Sequence, residues 1–332
     1  MTNSVSPGRP APTRREVLAL GLGAFVVAAI PMAARRRASL IKRTLPVMGS
    51  FAEVTVVHRD ARYAEAAIDA ALGELVRVDR TMSRFRADSD IGRANLAAAT
   101  RPVAITPDTQ TVIASALDWA RASHGAFDPA IGRVVELWDV VHRREPPPEP
   151  RVRKLAARHF HRHVELGTEH GTPVVFFRDP DIHLDLGAIA KGYGVDLAGD
   201  ALRRWGITQA LIDVGGEIIA IGGAPDGNPW RVGIQSPDDD RSLLGEFDLA
   251  DAAVATSGDY EQFFRFRGIR YHHLMDPEFA APRRTPEHSI TTIAGRCMDA
   301  DAAATAAYGM SLDDATRLLA RQAPGARVLT IA

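Results

Sequence analysis

Apolar residues recur at two different spacings along the chain, and each spacing predicts one kind of element. Gly49–His58 has the β-branched alternation of a strand. Between Asp60 and Met82 the apolar residues instead recur every three or four positions, as they do on one face of a helix. The same two patterns predict further helices over Thr106–Ala120, Gly192–Trp205, Asp299–Tyr308 and Leu312–Gln322, and further strands over Val174–Phe177, Ile182–Leu186, Ala210–Val214, Trp230–Gln235, Gly245–Leu249, Ala252–Ala255 and Arg327–Thr330.

The order of these elements bears on the fold class. Strands and helices are interspersed without the strict strand–helix–strand alternation of a parallel sheet, which favours an α+β fold. We therefore expect a single α+β domain over residues 40–330, with mixed sheets and packed helices. The segment Arg144–Arg153 is rich in proline, which restricts the backbone and lacks an N–H, so we expect an exposed loop there.

The first 37 residues have the layout of an export signal. Arg14 and Arg15 precede an apolar run from Val17 to Ala34, an order that is typical of a twin-arginine signal. Such a signal would take the folded protein to the periplasm. The alternative is an uncleaved anchor that tethers the protein to the membrane, because the run is near the lower limit of about 17 residues for a span and Arg35–Arg37 follows at once.

Charge and cysteine content exclude several classes of protein. The chain has 40 Lys and Arg against 41 Asp and Glu and no basic stripe, so we expect no nucleic-acid partner. Its one cysteine, Cys297, excludes a disulfide framework and a thiolate-rich metal site. We expect that cysteine to pack in the core.

Asp301 and Thr305 form the first candidate site. They are four residues apart in a predicted helix, which puts both side chains on one face. Their hard oxygens suit Mg²⁺ better than zinc. The spacing alone favours a solvated helix face, but the neighbours Ala302–Ala304 and Ala306–Ala307 are all apolar, which favours polar groups that point at something specific. Both interpretations stay open at this point.

Lys191 lies where a predicted strand passes through a glycine-containing turn into a predicted helix. A cation near a helix N-terminus is disfavoured unless an anion is bound, so the turn amides and this lysine together indicate a phosphate site. The glycine spacing differs from that of a Walker A loop. A second turn, Gly215–Gly216, allows either the close approach of a ligand or simply a sharp bend.

The remaining candidates lie in predicted loops. His272 and His273 are neighbours in an extended segment, so they point to opposite sides and only one of them can face a site as a general base. Phe85 and Phe127 offer flat rings that can stack on a ring-shaped ligand, although aromatic side chains are more often part of a core.

In this order, these motifs resemble those of the ApbE family of FAD:protein FMN transferases, from Met48 to Tyr308. The resemblance implies that FAD is contacted by Met48, Phe85, Ala126, Phe127, Asp128, Asp185, Lys191 and Met275. It also implies that Mg²⁺ is bound by the carbonyl of Ala188 and the side chains of Asp301 and Thr305, and that His273 is the catalytic residue.

The reaction implied by the resemblance attaches FMN to a protein. An acceptor hydroxyl, on a Thr or Ser of an exported or membrane-bound redox protein, attacks the FMN-side phosphorus of FAD, and AMP leaves. Two positions depart from the family pattern. Phe279-Ala280 replaces the usual Thr-Gly, which bears on the choice of acceptor, and Phe85 replaces the usual Tyr, which loses only a hydroxyl.

Two other functions stay open on the sequence alone. With water as the nucleophile, the same site would be that of an FAD pyrophosphatase giving FMN and AMP. The other alternative is a non-catalytic flavin-binding maturation factor for an exported redox enzyme such as nitrous-oxide reductase, which the export signal would also suit.

Overall fold

Antiparallel sheets with helices packed against them make up the fold. The computed structural model of the chain describes residues 25–27, 39–235 and 243–331, and the structural statements below concern these residues. The strands are β1 (Phe25–Val27), β2 (Ser39–Val47), β3 (Ser50–His58), β4 (Val103–Ala104), β5 (Val164–Glu169), β6 (Thr172–Phe177), β7 (Ala210–Val214), β8 (Glu217–Ile221), β9 (Trp230–Gln235), β10 (Leu243–Leu249), β11 (Ala253–Gly258), β12 (Phe263–Phe266), β13 (Ile269–His272), β14 (Met275–Asp276), β15 (Ala281–Pro282), β16 (Ser289–Ala294) and β17 (Arg327–Ile331). The helices are α1 (Ala61–Met82), α2 (Asp90–Ala97), α3 (Pro107–Ala122), α4 (Gly132–Trp138), α5 (Glu149–Leu155), α6 (Ala190–Arg204), α7 (Cys297–Ala307) and α8 (Leu312–Gln322), with a 3₁₀ helix at Phe160–His163.

A seven-stranded sheet forms the middle layer, in the order β17-β16-β11-β8-β7-β3-β2. One of its faces packs on α1 and α6 through residues such as Val54, Ile68 and Ile212. The other face packs on the small sheet β1-β9-β10 through residues such as Val57 and Trp230. Because both faces are covered, central strands are apolar on both sides, and β8 is buried at every position.

A second core lies among α2, α3, α4, α7 and α8 and the sheet β4-β6-β5. Trp119, Phe160 and Phe177 are among its fully buried side chains. Helix α7 joins the two cores, because Cys297 packs in the first and Ala303 in the second. The helix that carries Asp301 is therefore held from both sides.

Two tight turns end at the same edge of the middle sheet. Met48-Gly49 joins β2 to β3 and Gly215-Gly216 joins β7 to β8, and all four residues have positive φ, between 54° and 99°. Two-residue connections with positive φ at both positions are the favoured hairpin turns. Since β3 pairs with β7, these turns bring Met48 and Glu217 to one end of the sheet.

The predicted α+β fold is confirmed, and most predicted elements are present within a few residues of their predicted bounds. Two predictions were wrong. The segment Arg144–Arg153 is not all loop, because α5 begins at Glu149 with Pro150 in its first turn, where the missing N–H costs nothing. Ile182–Leu186 is not a strand. The side chain of Asn95 takes the place of a neighbouring strand, accepting from Leu184 N at 2.7 Å and donating to Leu184 O at 2.9 Å.

The N-terminal segment is described only in part. Phe25–Val27, within the expected signal, pairs antiparallel with β9. Arg14 and Arg15 lie outside the described residues, so the export signal stays a prediction. None of the helices in the described ranges is long and apolar enough to cross a membrane.

Candidate functional site

The site is built where α6 and α7 begin side by side. Gly192 makes this approach feasible, since a Cβ there would lie 2.7 Å from the carbonyl carbon of Cys297 and 2.8 Å from the Cα of Met298. The two helices cap each other. Asp196 of α6 accepts from the backbone N–H groups of Cys297 at 2.7 Å and Met298 at 3.1 Å, and Asp301 of α7 accepts from Gly192 N at 3.0 Å.

This mutual capping has a simple cause in the sequence. Ile189 occupies the N-cap of α6 and has no side-chain oxygen to satisfy the first N–H groups of the helix. Asp301 supplies that oxygen from the neighbouring helix, and its negative charge also suits the positive end of the α6 dipole. The capping bond therefore fixes the orientation of the Asp301 carboxylate.

Two of the three predicted metal ligands, Asp301 and Thr305, lie on α7, and the third, the carbonyl of Ala188, lies just before α6. Asp301 is only 4% exposed, and Thr305 lies one turn further along α7, with its Oγ1 3.0 Å from Ser257 Oγ. The carbonyl of Ala188 precedes the first bond of α6, which runs from Tyr193 N to Ile189 O at 3.1 Å, so the helix does not use it. One carboxylate, one hydroxyl and one carbonyl form an all-oxygen set of the kind that Mg²⁺ prefers.

This set differs from the usual metal-binding cluster of several acidic side chains or histidines, because it contains only one carboxylate. Within residues 25–27, 39–235 and 243–331, no group of three or more His, Cys, Asp or Glu side chains is arranged to hold a metal ion. Cys297 is buried, and burial raises the pKa of its thiol well above the ordinary value, as expected for a packing residue.

Lys191 finds an anion within the protein. Its Nζ lies 2.6 Å from Oε1 of Glu217, the first residue after the Gly215-Gly216 turn. Burial opposes the charged form of Lys191, but the carboxylates of Glu217, Asp301 and Glu261 outweigh that effect and raise its pKa. The lysine is therefore fully protonated and only half-buried, and it can still donate to a ligand.

Three carboxyl groups share this single cation. Burial raises the pKa of Glu217 well above the ordinary value, that of Asp301 to about 6 and that of Glu261 to about 7, with Lys191 pulling each of them back down. Glu217 is 3% exposed, and its Oε2 has no hydrogen-bond partner in the described part of the chain. The site thus has more acid than base, which favours binding of a cation.

His272 and His273 have different surroundings, in line with their expected opposite directions. His272 is buried, donates from Nε2 to Arg283 O at 2.8 Å and accepts at Nδ1 from Leu274 N at 3.3 Å. His273 is half-buried, and its Nδ1 has no partner among the described residues. Burial, together with the nearby His272 and Lys191, lowers the pKa of His273 to about 4, so its ring is neutral at pH 7.

Asp185 and Phe85 are joined through Arg84. Asp185 accepts from Gly187 N at 3.0 Å and pairs with Arg84 Nε at 2.9 Å. The guanidinium of Arg84 lies 4.1 Å from the centre of the Phe85 ring, which is 80% exposed. An exposed ring of this kind, steadied by a cation, is available to stack on a flat ligand.

The Ala126–Asp128 loop presents its backbone rather than its side chains. The ring of Phe127 is buried in the second core, at 3% exposure. The carboxylate of Asp128 is fully buried and accepts from Ala130 N at 2.9 Å and from His161 N and Nδ1 at 3.1 and 2.9 Å. Contacts of this loop with a ligand therefore go through main-chain atoms, and the Asp128–His161 pair holds the loop in shape.

Met48 and Met275, two of the predicted ligand contacts, pack with the second core. Met48 is half-buried in its turn beside the start of α6, with its sulfur 3.4 Å from the position that a Cβ would take on Gly194. Met275 is buried at 6% exposure in the short strand β14. Flexible thioethers can adapt their shape to a flat ring.

Arg283 connects these segments, and no sequence pattern predicts this role. Its guanidinium donates to the backbone carbonyls of Ala126 at 2.5 Å, Met275 at 3.4 Å and Thr305 at 3.5 Å, and also to that of Tyr308. Burial lowers the pKa of Arg283. One half-buried cation thus joins three separate parts of the candidate site to each other.

The departure from the family pattern at Phe279-Ala280 leaves the backbone conformation of a glycine in place. Ala280 has a φ of 48°, in the left-handed region that glycine adopts without steric cost. The Ala280 carbonyl accepts from Trp138 Nε1 at 2.7 Å, which helps to hold the turn. Phe279 itself is 68% exposed.

Comparison with known proteins gives a consistent result. The sequence matches the ApbE family over residues 48–330. It is 34% identical to the FAD:protein FMN transferase of Vibrio cholerae serotype O1 over 78% of each chain, and 33% identical to that of Treponema pallidum over 90% of this chain and 86% of the relative. The structure resembles that of the flavin transferase ApbE from Vibrio cholerae, with a TM-score of 0.74, 31% identity, and coverage of 86% of this chain and 92% of that one.

Proposed function

This chain belongs to the ApbE family, and we propose that it is an FAD:protein FMN transferase, an enzyme that moves the FMN half of FAD onto a hydroxyl of an acceptor protein. The observation that carries the proposal is the match over residues 48–330, which spans both α6 and α7 and every candidate site residue. Relatives that cover most of the chain have the same activity in their names.

In this proposal, FAD lies across the start of α6. Phe85, Met48 and Met275 contact its rings, and the backbone of Ala126–Asp128 lies alongside them. Lys191 lies at the phosphate end, where its ammonium offsets negative charge, and Asp185 lies beside Phe85, to which Arg84 joins it. The Glu217 pair keeps the ammonium charged and directed into the site.

We also propose that Mg²⁺ takes part, held by Asp301, Thr305 and the carbonyl of Ala188. The residues fit such an ion, because they offer only hard oxygens and the surrounding carboxyl groups outnumber the single ammonium. When bound, Mg²⁺ would offset pyrophosphate charge and act as a Lewis acid. The capping bond from Gly192 N keeps the Asp301 carboxylate in one orientation for this purpose.

The transfer step balances as follows. The acceptor oxygen forms a bond to the FMN-side phosphorus, and the bond from that phosphorus to the bridging oxygen breaks, so that AMP leaves with the bridging oxygen. The acceptor hydroxyl loses its proton, and His273 is the proposed base because its ring is neutral at pH 7. The protein contributes mainly position and charge.

The proposed acceptor is a Thr or Ser of an exported or membrane-bound redox protein. The support for this location is the twin-arginine pattern at Arg14-Arg15 and the apolar run that follows it. We propose that the enzyme acts in the periplasm, either released by cleavage of the signal or tethered through the uncleaved segment. The names of the relatives do not favour the FAD pyrophosphatase or the non-catalytic maturation factor.

The test is to incubate the purified protein with FAD, Mg²⁺ and candidate redox-protein domains, and to read each domain by intact-mass spectrometry. We expect one domain to gain the mass of FMN, less water, at one hydroxyl residue. AMP release at the full rate without any acceptor would instead indicate a pyrophosphatase. Tight FAD binding without either product would indicate a flavin-binding factor. Asp301→Ala is the matched inactive control.

A further inference from the structure

A small hairpin projects from the candidate site. Strands β12 and β13 pair only with each other and are joined by Arg267-Gly268, both with positive φ (48° and 81°), so the turn is tight. We call Phe263–His272 the arginine hairpin. An isolated two-stranded hairpin is marginally stable in water, so this one depends on what it packs against.

One side of the arginine hairpin packs on the protein. Phe264 and Tyr271 are cross-strand partners whose rings stack at 5.1 Å, and Tyr271 in turn stacks on Trp138 at 5.4 Å. Phe264 is buried at 3% exposure. This stack holds the hairpin in a fixed position, and on its other side Phe263 and Arg265 are exposed.

Two arginines lie on the side of the hairpin opposite the ring stack. Arg265 and Arg270 are directly opposite each other across the two strands, where like charges destabilise a sheet. Both guanidinium groups lie near the ring of Phe263, at 5.7 and 4.9 Å from its centre. Arg270 pairs with Asp259, but neither Arg265 nor Arg267 has a carboxylate within ion-pair distance in the described ranges. The hairpin therefore presents positive charge on Arg265 and Arg267 that no carboxylate of the described residues balances.

The base of the hairpin is part of the candidate site. His273 follows β13 directly, and its backbone N–H donates to Gln262 O at 3.1 Å, which extends the ladder by one pair. Glu261, just before the hairpin, interacts electrostatically with Lys191 and Asp301. Four residues of strand reach about 14 Å, so the arginines lie within roughly that distance of the proposed base.

An exposed apolar side chain lies next to the hairpin. Trp138, which stacks on Tyr271, donates from Nε1 to the carbonyl of Ala280 at 2.7 Å. The adjacent Phe279 is 68% exposed, and Ile269 on the hairpin is 43% exposed. Positive charge around exposed apolar groups is a common composition for a surface that binds a protein partner.

We propose that the arginine hairpin, with Phe279 beside it, docks an acidic segment of the acceptor protein next to the hydroxyl that is modified. This inference rests on the proposed function. Arg265 and Arg267 would pair with carboxylates of the acceptor, as Arg270 already does with Asp259 of the protein itself. The hairpin would then present the acceptor hydroxyl to His273 at its base.

The test uses the double variant Arg265→Glu/Arg267→Glu. As a matched control we choose Arg59→Glu/Arg62→Glu, which reverses two exposed charges before and within the first turn of α1. With an acceptor domain that gains FMN, we expect the hairpin variant to raise KM for the acceptor by about tenfold or more, and rising salt to shrink the difference. Its kcat at saturating acceptor and its FAD affinity should stay those of the wild type.

A second arm does not depend on transfer. A fluorescent peptide of alternating Asp and Thr should bind the wild type and the α1 control equally, and should bind the hairpin variant at least about tenfold more weakly. Equal binding by all three proteins, or no binding by any, would overturn the docking proposal. The docking proposal would also be overturned if the wild type bound phosphatidylglycerol vesicles, the hairpin variant did not, and the variant's KM for the acceptor stayed unchanged. A wild type that modifies no acceptor would count against the proposed function instead, and the peptide arm would still decide the docking.

Discussion

Gly192→Ala is the substitution whose effect can be worked out most directly from the structure. The added Cβ would lie 2.7 Å from the Cys297 carbonyl carbon and 2.8 Å from the Met298 Cα, and closer still to the Cys297 carbonyl oxygen. Ordinary contacts begin at 3.4 Å, so α6 and α7 would have to separate by roughly 1 Å. The obstacle is backbone at both sites, which no side-chain rotation can relieve.

The energetic cost follows from this overlap. Overpacking costs about 1–3 kcal/mol, and alanine returns at most about 1 kcal/mol through its better helix propensity. We therefore expect Gly192→Ala to lower the free energy of unfolding by about 2 kcal/mol in urea. Because the same shift displaces Asp301 from Gly192 N, we expect FMN transfer to fall by about 10²-fold.

Gly199→Ala is the control within the same helix. A Cβ there would meet only side chains, the closest being Arg203 Nη1 at 3.4 Å and Ile219 at 3.6 Å. We expect full transfer activity and unchanged stability, or a gain of up to about 1 kcal/mol. If Gly192→Ala proved as stable and as active as Gly199→Ala, the close contact between α6 and α7 would not be what positions Asp301.

Four further changes test other parts of the account. Asp301→Ala should abolish transfer and weaken FAD binding, and wild-type activity in excess EDTA would speak against the magnesium site. His273→Ala should lower the transfer rate by roughly 10²–10⁴-fold with FAD affinity unchanged, and a parallel loss of affinity and stability would point to a structural role. In the wild type, kcat/KM should fall only below about pH 4, where His273 becomes protonated. Asp213→Asn should raise the free energy of unfolding at pH 8 by roughly 1–3 kcal/mol, because burial raises the pKa of this carboxyl to about 6 and its charged form destabilises the folded state. The gain should disappear as the pH falls below 4, and an equal gain at pH 4 and pH 8 would refute this explanation. Replacing Arg14 and Arg15 with lysine should hold the precursor in the cytoplasm, and continued export seen by fractionation would show that the signal is of another type.

Local patterns were enough for much of the fold. Helix α8 has the bounds that its apolar spacing predicts, because Ser311 caps its first turn through a bond from Asp314 N at 3.2 Å. Helix α1 likewise begins after the cap Asp60. In both helices the signals that set the ends lie within a few residues of them, so a short stretch of sequence contains the information.

Predictions failed where the partner of a segment is distant along the chain. The backbone of Leu184 is satisfied by Asn95, 89 positions away, and no local pattern distinguishes that arrangement from a strand. The half-buried cation Arg283 has no sequence signal either, because arginine side chains are usually exposed. Glu217 was within reach of sequence reasoning, since a carboxylate directly after a glycine pair at a strand end must lie near the turn.

The candidate site shows the same division. Asp301 and Thr305 share a helix, so their spacing alone predicted that they lie together. The contacts of Asp128 and Phe127 depend on burial, which local spacing does not show. Asp128 binds His161, and the ring of Phe127 packs in the second core. Sequence spacing therefore predicts which side chains share a helix face, but not which neighbours bury or bind each of them.

In the proposed reaction, this protein couples FAD cleavage to the modification of another protein. The most direct measurement follows AMP release and acceptor mass together, in one reaction containing FAD, Mg²⁺ and a redox-protein domain that becomes modified. We expect one AMP to be released for each FMN attached to an acceptor hydroxyl. Without an acceptor no AMP should form, and Asp301→Ala should form neither product. AMP formed without FMN-modified acceptor, or modified acceptor formed without AMP, would contradict it.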